Sequence, residues 1–331
     1  MKRLLLTLIG LFCVLFAAAQ SFSWWAKSEI SAPALADMYS GLSKIELVKT
    51  QKVHPQYYKG EFIDRPLNEL QTGFGLPIFS SQKNLPGGLL KTALEMQVAA
   101  VLLIDMYEEE TAPVINNDYR FGPAFNAVYY PVAWKDAFVK NISLRYLPVL
   151  HESTHIGDEY ALHGYSNVPD FMRINVSYEA WQLFLGVNSP DTLSGSLLSA
   201  EIGYQRLLPH KAGFYNVDTF EVGGLDVMLG SERDIWLFRL NAQKETAFMK
   251  KRKGRVLFSS ELRNEIKFGY TILNPERRVW SLNTVTGISF DAGSTHRRMG
   301  AYLRFYYGLN PYGQLRDQYD FKLFGAGIFI Q

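Results

Sequence analysis

The sequence predicts a transmembrane antiparallel β-barrel of about twelve strands, and three observations support this fold class. From residue 89 onwards, segments of roughly ten residues alternate apolar and polar side chains, as strands between lipid and a lumen do. The chain ends on an apolar and aromatic segment, Phe321–Ile330, which would aggregate in water but can close a barrel in a bilayer. After residue 19, no stretch of about eighteen consecutive apolar residues occurs, so no membrane-spanning helix is expected.

Residues 1–19 are predicted to be a secretory signal peptide. Two basic residues precede the apolar run Leu4–Phe16, and the small residues Ala17 and Ala19 precede the expected cleavage point. The single cysteine, Cys13, lies inside this run, so cleavage would leave no thiol for disulfides, metal binding or catalysis. Together with the predicted barrel, the signal peptide indicates an outer-membrane location.

Residues 20–88 are predicted to form an irregular N-terminal segment. They contain five prolines and the pair Gly87–Gly88, which are typical of loops. One strand at Gln71–Phe79 and a short helix near Ala34–Leu42 are the regular elements that the pattern allows. The composition does not decide whether this segment lies in the periplasm or folds into the barrel lumen.

The barrel itself is predicted for residues 89–331. Trp236, Phe238 and Leu240 would face lipid, whereas Arg239 and Asn241 between them would face the lumen. Because bacterial single-chain barrels have even strand numbers, a count of eleven means that one strand is missed or misread. The eleven predicted strands are Leu90–Val98, Arg120–Tyr130, Val139–Leu150, Met172–Gly186, Leu197–Leu207, Phe214–Leu229, Ile235–Thr246, Val256–Tyr270, Val279–Phe290, Met299–Tyr307 and Tyr319–Ile330.

The densest polar cluster of the chain is His151–Tyr160, directly after the apolar run Tyr146–Leu150. On an extended strand, residues two apart share a face and lie roughly 7 Å apart. His151, Ser153 and His155 are therefore predicted to share one face, and in a barrel wall that polar face is expected to line the lumen. Long connections belong to the extracellular side of such barrels, which favours the outer end for this cluster.

Three stretches together resemble the bacterial family catalogued as domain of unknown function 1207: Asn117–Pro123, His151–Tyr160 and Arg173–Glu179. Members of that family look like secreted outer-membrane barrel proteins with a His-x-Ser-Ser-His-x-Gly-Asp-Glu signature. Thr154 here replaces the second serine of the signature. The resemblance extends from about Leu94 to the C-terminus and implies a fold and a location, without a reaction.

A second similarity is to outer-membrane phospholipase A, whose barrel carries His-x-Ser on one strand. His151 and Ser153 match this pair, Asn175 is the candidate for the asparagine that orients the histidine, and Gly308–Gln314 is similar to a C-terminal glycine-rich stretch. Thr154 follows the serine where that family has asparagine. The similarity implies a lipid-active ester hydrolase with Ser153 as nucleophile, His151 as base and Asn175 as the orienting residue.

The opposing interpretation is a non-enzymatic structural or small-pore barrel. In it, polar groups of the cluster and of neighbouring segments form a fixed network in the lumen, and Gly157 bends the strand into its loop. The candidate binding residues of this network are His155, Asp158, Glu159, Asp118, Arg120 and Arg173.

Cofactors and partners follow from the remaining features of the sequence. Calcium is the expected metal if one is bound, because Asp158, Glu159 and the run Glu108–Glu110 offer carboxylate oxygens. A net charge of +2 gives no indication of nucleic-acid binding. Membrane lipid is the expected partner, with lipopolysaccharide as a further candidate, and the oligomeric state is left open.

Overall fold

The computed structural model describes residues 21–24, 36, 43–50, 66–106, 112, 114–155, 174–191, 196–216, 222–223, 234–249, 254–265, 279–292, 297–313 and 320–330. The predicted signal peptide lies outside these residues. Of the helices in these ranges, none has the length and hydropathy needed to cross a membrane. The strands are β1 (Ser21–Trp24), β2 (Ser43–Thr50), β3 (Leu67–Leu85), β4 (Gly88–Ile104), β5 (Val114–Pro131), β6 (Asn141–His155), β7 (Ile174–Asp191), β8 (Ser196–Asn216), β9 (Val222–Gly223), β10 (Asp234–Met249), β11 (Gly254–Glu265), β12 (Val279–Ala292), β13 (Arg297–Gly308) and β14 (Phe321–Ile330), with one 3-10 turn at Val132–Trp134.

Twelve of the described strands form a closed antiparallel barrel. β2 to β8 and β10 to β14 pair in chain order, and β14 pairs with β2, so the sheet has no free edge strand in this ring. The two short strands lie off the ring, since β1 pairs with β3 and β9 pairs with β8. The predicted transmembrane barrel of about twelve strands is therefore confirmed.

The N-terminal part of the chain differs from the prediction, because β2 and β3 lie within residues 20–88 and belong to the barrel. β2 is short and alternates, with Ile45 and Leu47 exposed and Lys44 and Glu46 buried. β3 contains the proposed strand Gln71–Phe79 but extends well beyond it. Pro77 is accommodated in β3 because the pairing with β4 shifts at that point, where a missing backbone N–H costs little.

β8 explains why the sequence pattern gives eleven segments and the barrel has twelve strands. This one strand covers Leu197–Leu207 and the beginning of Phe214–Leu229, which the sequence pattern separates at Pro209. The pairing with β7 shifts between Tyr178 and Ala180, so β8 carries additional residues there without ending. Eleven predicted segments therefore correspond to ten strands, and β2 and β3 bring the ring to twelve.

Alternation along each strand separates a lipid-facing wall from a polar lumen. On β10, Trp236, Phe238 and Leu240 are 50%, 43% and 48% exposed, whereas Arg239 and Asn241 are buried. The apolar side chains point outward because lipid solvates them, and the polar ones find partners inside. The predicted faces of this strand are confirmed.

An ion-pair network in the lumen links β13 to β2 and β3 on one side of the barrel. Arg304 Nη1 on β13 lies 2.9 Å from Glu46 Oε2 on β2 and 2.9 Å from Glu69 Oε1 on β3. The hydroxyl of Tyr302 donates to Glu46 over 2.9 Å, and that of Tyr312 donates to Glu69 over 2.5 Å. The three charged side chains are at most 2% exposed, so this network fills space as well as pairing charge.

Two further parts of the chain enter the lumen. The backbone of Ala36 is fully buried: its N–H donates to Ser259 Oγ over 3.1 Å, and its carbonyl accepts from Asn283 Nδ2 over 2.6 Å. Residues 309–313, after β13, are also buried, and the N–H of Gly313 donates to Asp118 Oδ2 over 3.0 Å. The lumen is therefore occupied by chain from both the N-terminal and C-terminal parts of the sequence.

The two ends of the barrel differ in the length of their connections. At the end where Ser43 and Ile330 are partners, β3 and β4 are joined by residues 86–87 alone. At the opposite end, β6 and β7 are joined by residues 156–173, and β2 and β3 by residues 51–66. His155 lies at the end of the barrel that has the long connections, which is the end expected to face the extracellular side.

Candidate functional site

A single-residue bulge in β6 sets the orientation of the candidate site. Phe121 and Phe125 of β5 are four positions apart, but their partners His151 and Tyr146 on β6 are five positions apart. The pairing of β6 with β7 shifts at the same place. β6 therefore carries one extra residue at this point, next to Pro148, whose missing N–H is tolerated at a bulge.

The bulge reverses the alternation, so His151, Ser153 and His155 face outward. Before it, Leu147 points into the barrel, and after it Leu150 does. The ring of His151 lies 4.7 Å from that of the exposed Phe121. The three residues share a face as predicted, but the prediction that this face lines the lumen is wrong. It assumed strict inward–outward alternation along β6, and the inserted residue at the bulge reverses that alternation.

Gly122 on β5 makes room for the bulge. A Cβ atom added at Gly122 would collide with the carbonyl oxygen of Val149 and would lie 3.2 Å from the Cα of Leu150. Both neighbours are backbone atoms, which cannot move aside as a flexible side chain can. The bulge and this glycine therefore depend on each other.

The outward faces of β5, β6 and β7 form a patch of aromatic, imidazole, hydroxyl and carboxylate groups, called the outer patch below. It consists of two adjacent rows of Cα partners, one residue from each strand. The rows are Phe121–His151–Glu179 and Tyr119–Ser153–Ser177. Ser177 and Glu179 were not among the predicted site residues, since only the β6–β7 register places them beside His151.

The imidazole of His151 contacts a serine of the neighbouring strand. Its Nε2 atom lies 3.5 Å from Ser177 Oγ. Within the described part of the chain, no hydrogen bond joins His151 to Ser153, the serine that the sequence predicts as its partner. The cross-strand contact forms because a diagonal neighbour in an antiparallel ladder is within reach of a long side chain.

Asn175, the predicted orienting residue, lies further from His151. Its side chain is outside the described residues, and its backbone pairs with Tyr215 of β8. The residue opposite His151 is Glu179, four positions along β7, or about 13 Å at the rise of a strand. The backbone register therefore brings Glu179, and not Asn175, alongside the imidazole.

The inward side chains of the same strands form a polar network beneath the outer patch. Arg120 Nε lies 3.2 Å from Glu152 Oε1, and its Nη2 donates to Gln182 over 3.1 Å. The hydroxyl of Tyr178 also donates to Glu152. Thr154 is buried and donates to Asn116. These contacts tie β5, β6 and β7 together and hold the strand that carries His151.

Part of the predicted lumen network is present in this arrangement. Asp118 and Arg120 are in the lumen, where Asp118 accepts from the backbone of Gly313. His155 faces outward, with its ring 6.2 Å from that of Tyr119. The other three predicted members of the network, Asp158, Glu159 and Arg173, lie outside the described residues.

An aromatic belt passes the outer patch. Trp181 follows Glu179 on the same face of β7, and its ring lies 5.2 Å from that of Tyr204, which lies 5.0 Å from that of Trp236. Trp236 is half exposed on the outer wall. Tryptophan and tyrosine concentrate at the level of lipid headgroups. His151 is opposite Glu179, two residues from Trp181, so this row of the outer patch lies roughly 7 Å along β7 from the aromatic side chains.

No metal site is evident in the described part of the chain, where no three His, Cys, Asp or Glu side chains are grouped as ligands. The carboxylates proposed for calcium, Asp158, Glu159 and Glu108–Glu110, lie outside the described residues. Calcium binding by them stays a prediction.

Comparison with known proteins identifies similar folds. No family model matches the chain, so the resemblance to domain of unknown function 1207 stays a prediction, and no curated protein matches.

Among solved structures, the calcium-bound outer membrane phospholipase dimer from Salmonella typhi is similar over 92% of this chain and 94% of its own, with 12% identity and a TM-score of 0.45. The outer membrane phospholipase A of Escherichia coli is similar over 88% and 93%, with 12% identity and a TM-score of 0.44. The translocator domain of the autotransporter NalP from Neisseria meningitidis is similar over 89% and 90%, with 10% identity and a TM-score of 0.43. At these identities the likeness concerns the outer-membrane barrel fold alone.

Proposed function

We propose that this protein is an outer-membrane hydrolase of lipid esters, with His151 as the general base and a serine of the outer patch as the nucleophile. The observation that supports it is the outward position of the imidazole and the two serines next to the aromatic belt. Ionisable groups such as the His151 imidazole and the Glu179 carboxyl are costly on a lipid-facing wall and call for a function. Membrane lipid is then the substrate, with lipopolysaccharide as a further candidate.

The proposed chemistry suits the position of the outer patch. The ester bonds of a phospholipid lie between its headgroup and its acyl chains, at the level where interfacial tryptophans also lie. A lipid of the outer leaflet could therefore present an ester to His151 without leaving the bilayer. The base takes a proton from a serine, which attacks the ester carbonyl. The sequence predicts Ser153 for that serine and Asn175 as the orienting residue.

The test is release of fatty acid from a diacyl phospholipid in mixed micelles, with and without calcium. Wild-type protein should release fatty acid, and His151→Asn should lower the rate by about a thousandfold. Ser260→Ala is the matched control: it removes an outward serine bonded to Thr284 over 3.2 Å on the other side of the barrel, and should leave the rate unchanged. Unheated and boiled samples on a denaturing gel verify that each variant is folded. Absence of turnover by wild-type protein under both conditions would refute the proposal.

A structural barrel is the second candidate function. The observation that favours it is the network of Arg120, Glu152 and Tyr178, which satisfies inward polar groups of the candidate strands without chemistry. Wild-type protein that folds, conducts no ions and releases no fatty acid would support this candidate.

A further inference from the structure

We infer that Ser177 on β7, rather than Ser153, is the nucleophile that His151 activates. This inference rests on the proposed hydrolase function and names the hydroxyl that performs it. The sequence directs attention to Ser153, because a His-x-Ser pair is visible within one strand. The structure places a second hydroxyl, from a strand that follows a long connection, in contact with the base.

The first observation is the contact of the imidazole. Nε2 of His151 lies 3.5 Å from Ser177 Oγ, whereas no hydrogen bond to Ser153 is present among the described residues. A base must be within reach of the proton that it removes, and such contacts are often loose before substrate binds. By this criterion Ser177 is the better-placed hydroxyl.

The second observation is the arrangement of the two strands. Ser153 and His151 are neighbours on the same face of β6, with Cα atoms roughly 7 Å apart. Ser177 lies across the ladder, directly opposite Ser153. Its hydroxyl approaches the imidazole from the β7 side. On the β5 side, the ring of Phe121 packs against the imidazole with a centroid distance of 4.7 Å.

The third observation is the setting of Ser177 on β7. Tyr178 next to it points inward and donates to Glu152, which itself pairs with Arg120. This contact holds the side chain of Tyr178 in the lumen, so the residues on either side of it, Ser177 and Glu179, lie on the outward face of β7. The aromatic belt begins at Trp181, on the same face of β7 and four residues beyond Ser177, so the hydroxyl lies about 13 Å along the strand from the belt.

The reaction balances with water as the only co-substrate. His151 Nε2 accepts the proton of Ser177 Oγ as this oxygen bonds to the ester carbonyl carbon. When the carbon–oxygen bond to the glycerol side breaks, the alkoxide leaves with that proton as a lysolipid, and the acyl group stays on Ser177. A water molecule then attacks the acyl-serine, His151 takes its proton and returns it to Ser177, and the fatty acid is released.

Covalent trapping identifies the nucleophile directly. Folded full-length protein in detergent micelles is treated with an alkyl fluorophosphonate, digested and analysed by mass spectrometry. We expect the phosphonate on Ser177, and loss of both labelling and fatty acid release in Ser177→Ala. Ser260→Ala again serves as the control and should be labelled at the wild-type rate.

The other outcomes separate the two proposals. A phosphonate on Ser153, with turnover retained in Ser177→Ala, would overturn the assignment of Ser177 while supporting the hydrolase. Wild-type protein that is neither labelled nor active would overturn both. Ser177→Cys provides a check on folding effects, since a thiol in the same place should still be alkylated by iodoacetamide even where ester turnover falls.

Discussion

Replacing Arg304 by methionine should destabilise the barrel by about 3–5 kcal/mol, the usual cost of removing one partner from a buried ion pair. Its guanidinium is 2% exposed and lies 2.9 Å from a carboxylate oxygen of both Glu46 and Glu69, whose side chains are fully buried. The substitution leaves two negative charges in the lumen with hydrogen bonds from Tyr302 and Tyr312 but without this cation.

Two further variants decide whether charge is the cause. Arg255→Met removes a cation that is 37% exposed, and its partner Glu245 keeps Arg298 at 2.7 Å, so the expected loss is about 0–1 kcal/mol. Adding Glu46→Gln and Glu69→Gln to the Arg304 variant removes the stranded charges while the tyrosine hydroxyls keep acceptors. This triple variant should regain most of the lost stability, because isosteric neutral replacement of a buried network is close to neutral.

The assay is urea unfolding of protein refolded into phospholipid vesicles, followed by tryptophan fluorescence. The free energy of unfolding is extrapolated to zero urea with the same slope against urea concentration for every variant, so that differences between variants report stability. An Arg304→Met variant within about 1 kcal/mol of Arg255→Met would refute the reasoning, since the buried carboxylates would then not depend on the guanidinium. Failure of the triple variant to recover would show that packing, and not charge, is the contribution of Arg304.

Two other predictions concern the bulge and the lumen. Gly122→Ala should lower stability by about 1–3 kcal/mol and reduce fatty acid release, because its methyl group meets the backbone of Val149. Gly75→Ala is the control, since an added Cβ there would lie 3.6 Å from Glu95 Oε2, an ordinary contact, and thermal unfolding should distinguish the two variants. In planar bilayers, wild-type protein should show no steady ion conductance, because Ala36 and Tyr312 are buried in the lumen; regular conductance steps would contradict this prediction.

The barrel was predictable from sequence because its main signal is local. Alternation such as that of Trp236, Arg239 and Leu240 identifies a wall between lipid and lumen within a few residues. The strand that escaped prediction, β2, alternates but is only eight residues long. β3 was predicted only over Gln71–Phe79; it contains Pro77, which is tolerated because its pairing with the neighbouring strand shifts there. Proline tolerance depends on a partner strand, and the sequence of one strand does not contain that information.

The candidate site was predictable only in part, for a related reason. His151 and Ser153 stand out in the sequence because they are two residues apart on one strand. Ser177 and Glu179 become neighbours of His151 through the register of β6 against β7, across a connection of residues 156–173. The length of a long loop does not set register, so no spacing rule could have selected these two residues.

The bulge in β6 determines which chemistry the cluster can serve. With unbroken alternation after Leu147, His151 and Ser153 would point into the lumen, and Glu152 between them would point outward. The inserted residue reverses this: it turns His151 and Ser153 toward lipid and brings Glu152 into the lumen, where it pairs with Arg120 and holds the strand. A lipid ester cannot reach the occupied lumen, but it can reach the outer wall. The proposed lipid-ester hydrolase therefore depends on a single extra residue and on the glycine, Gly122, that makes room for it.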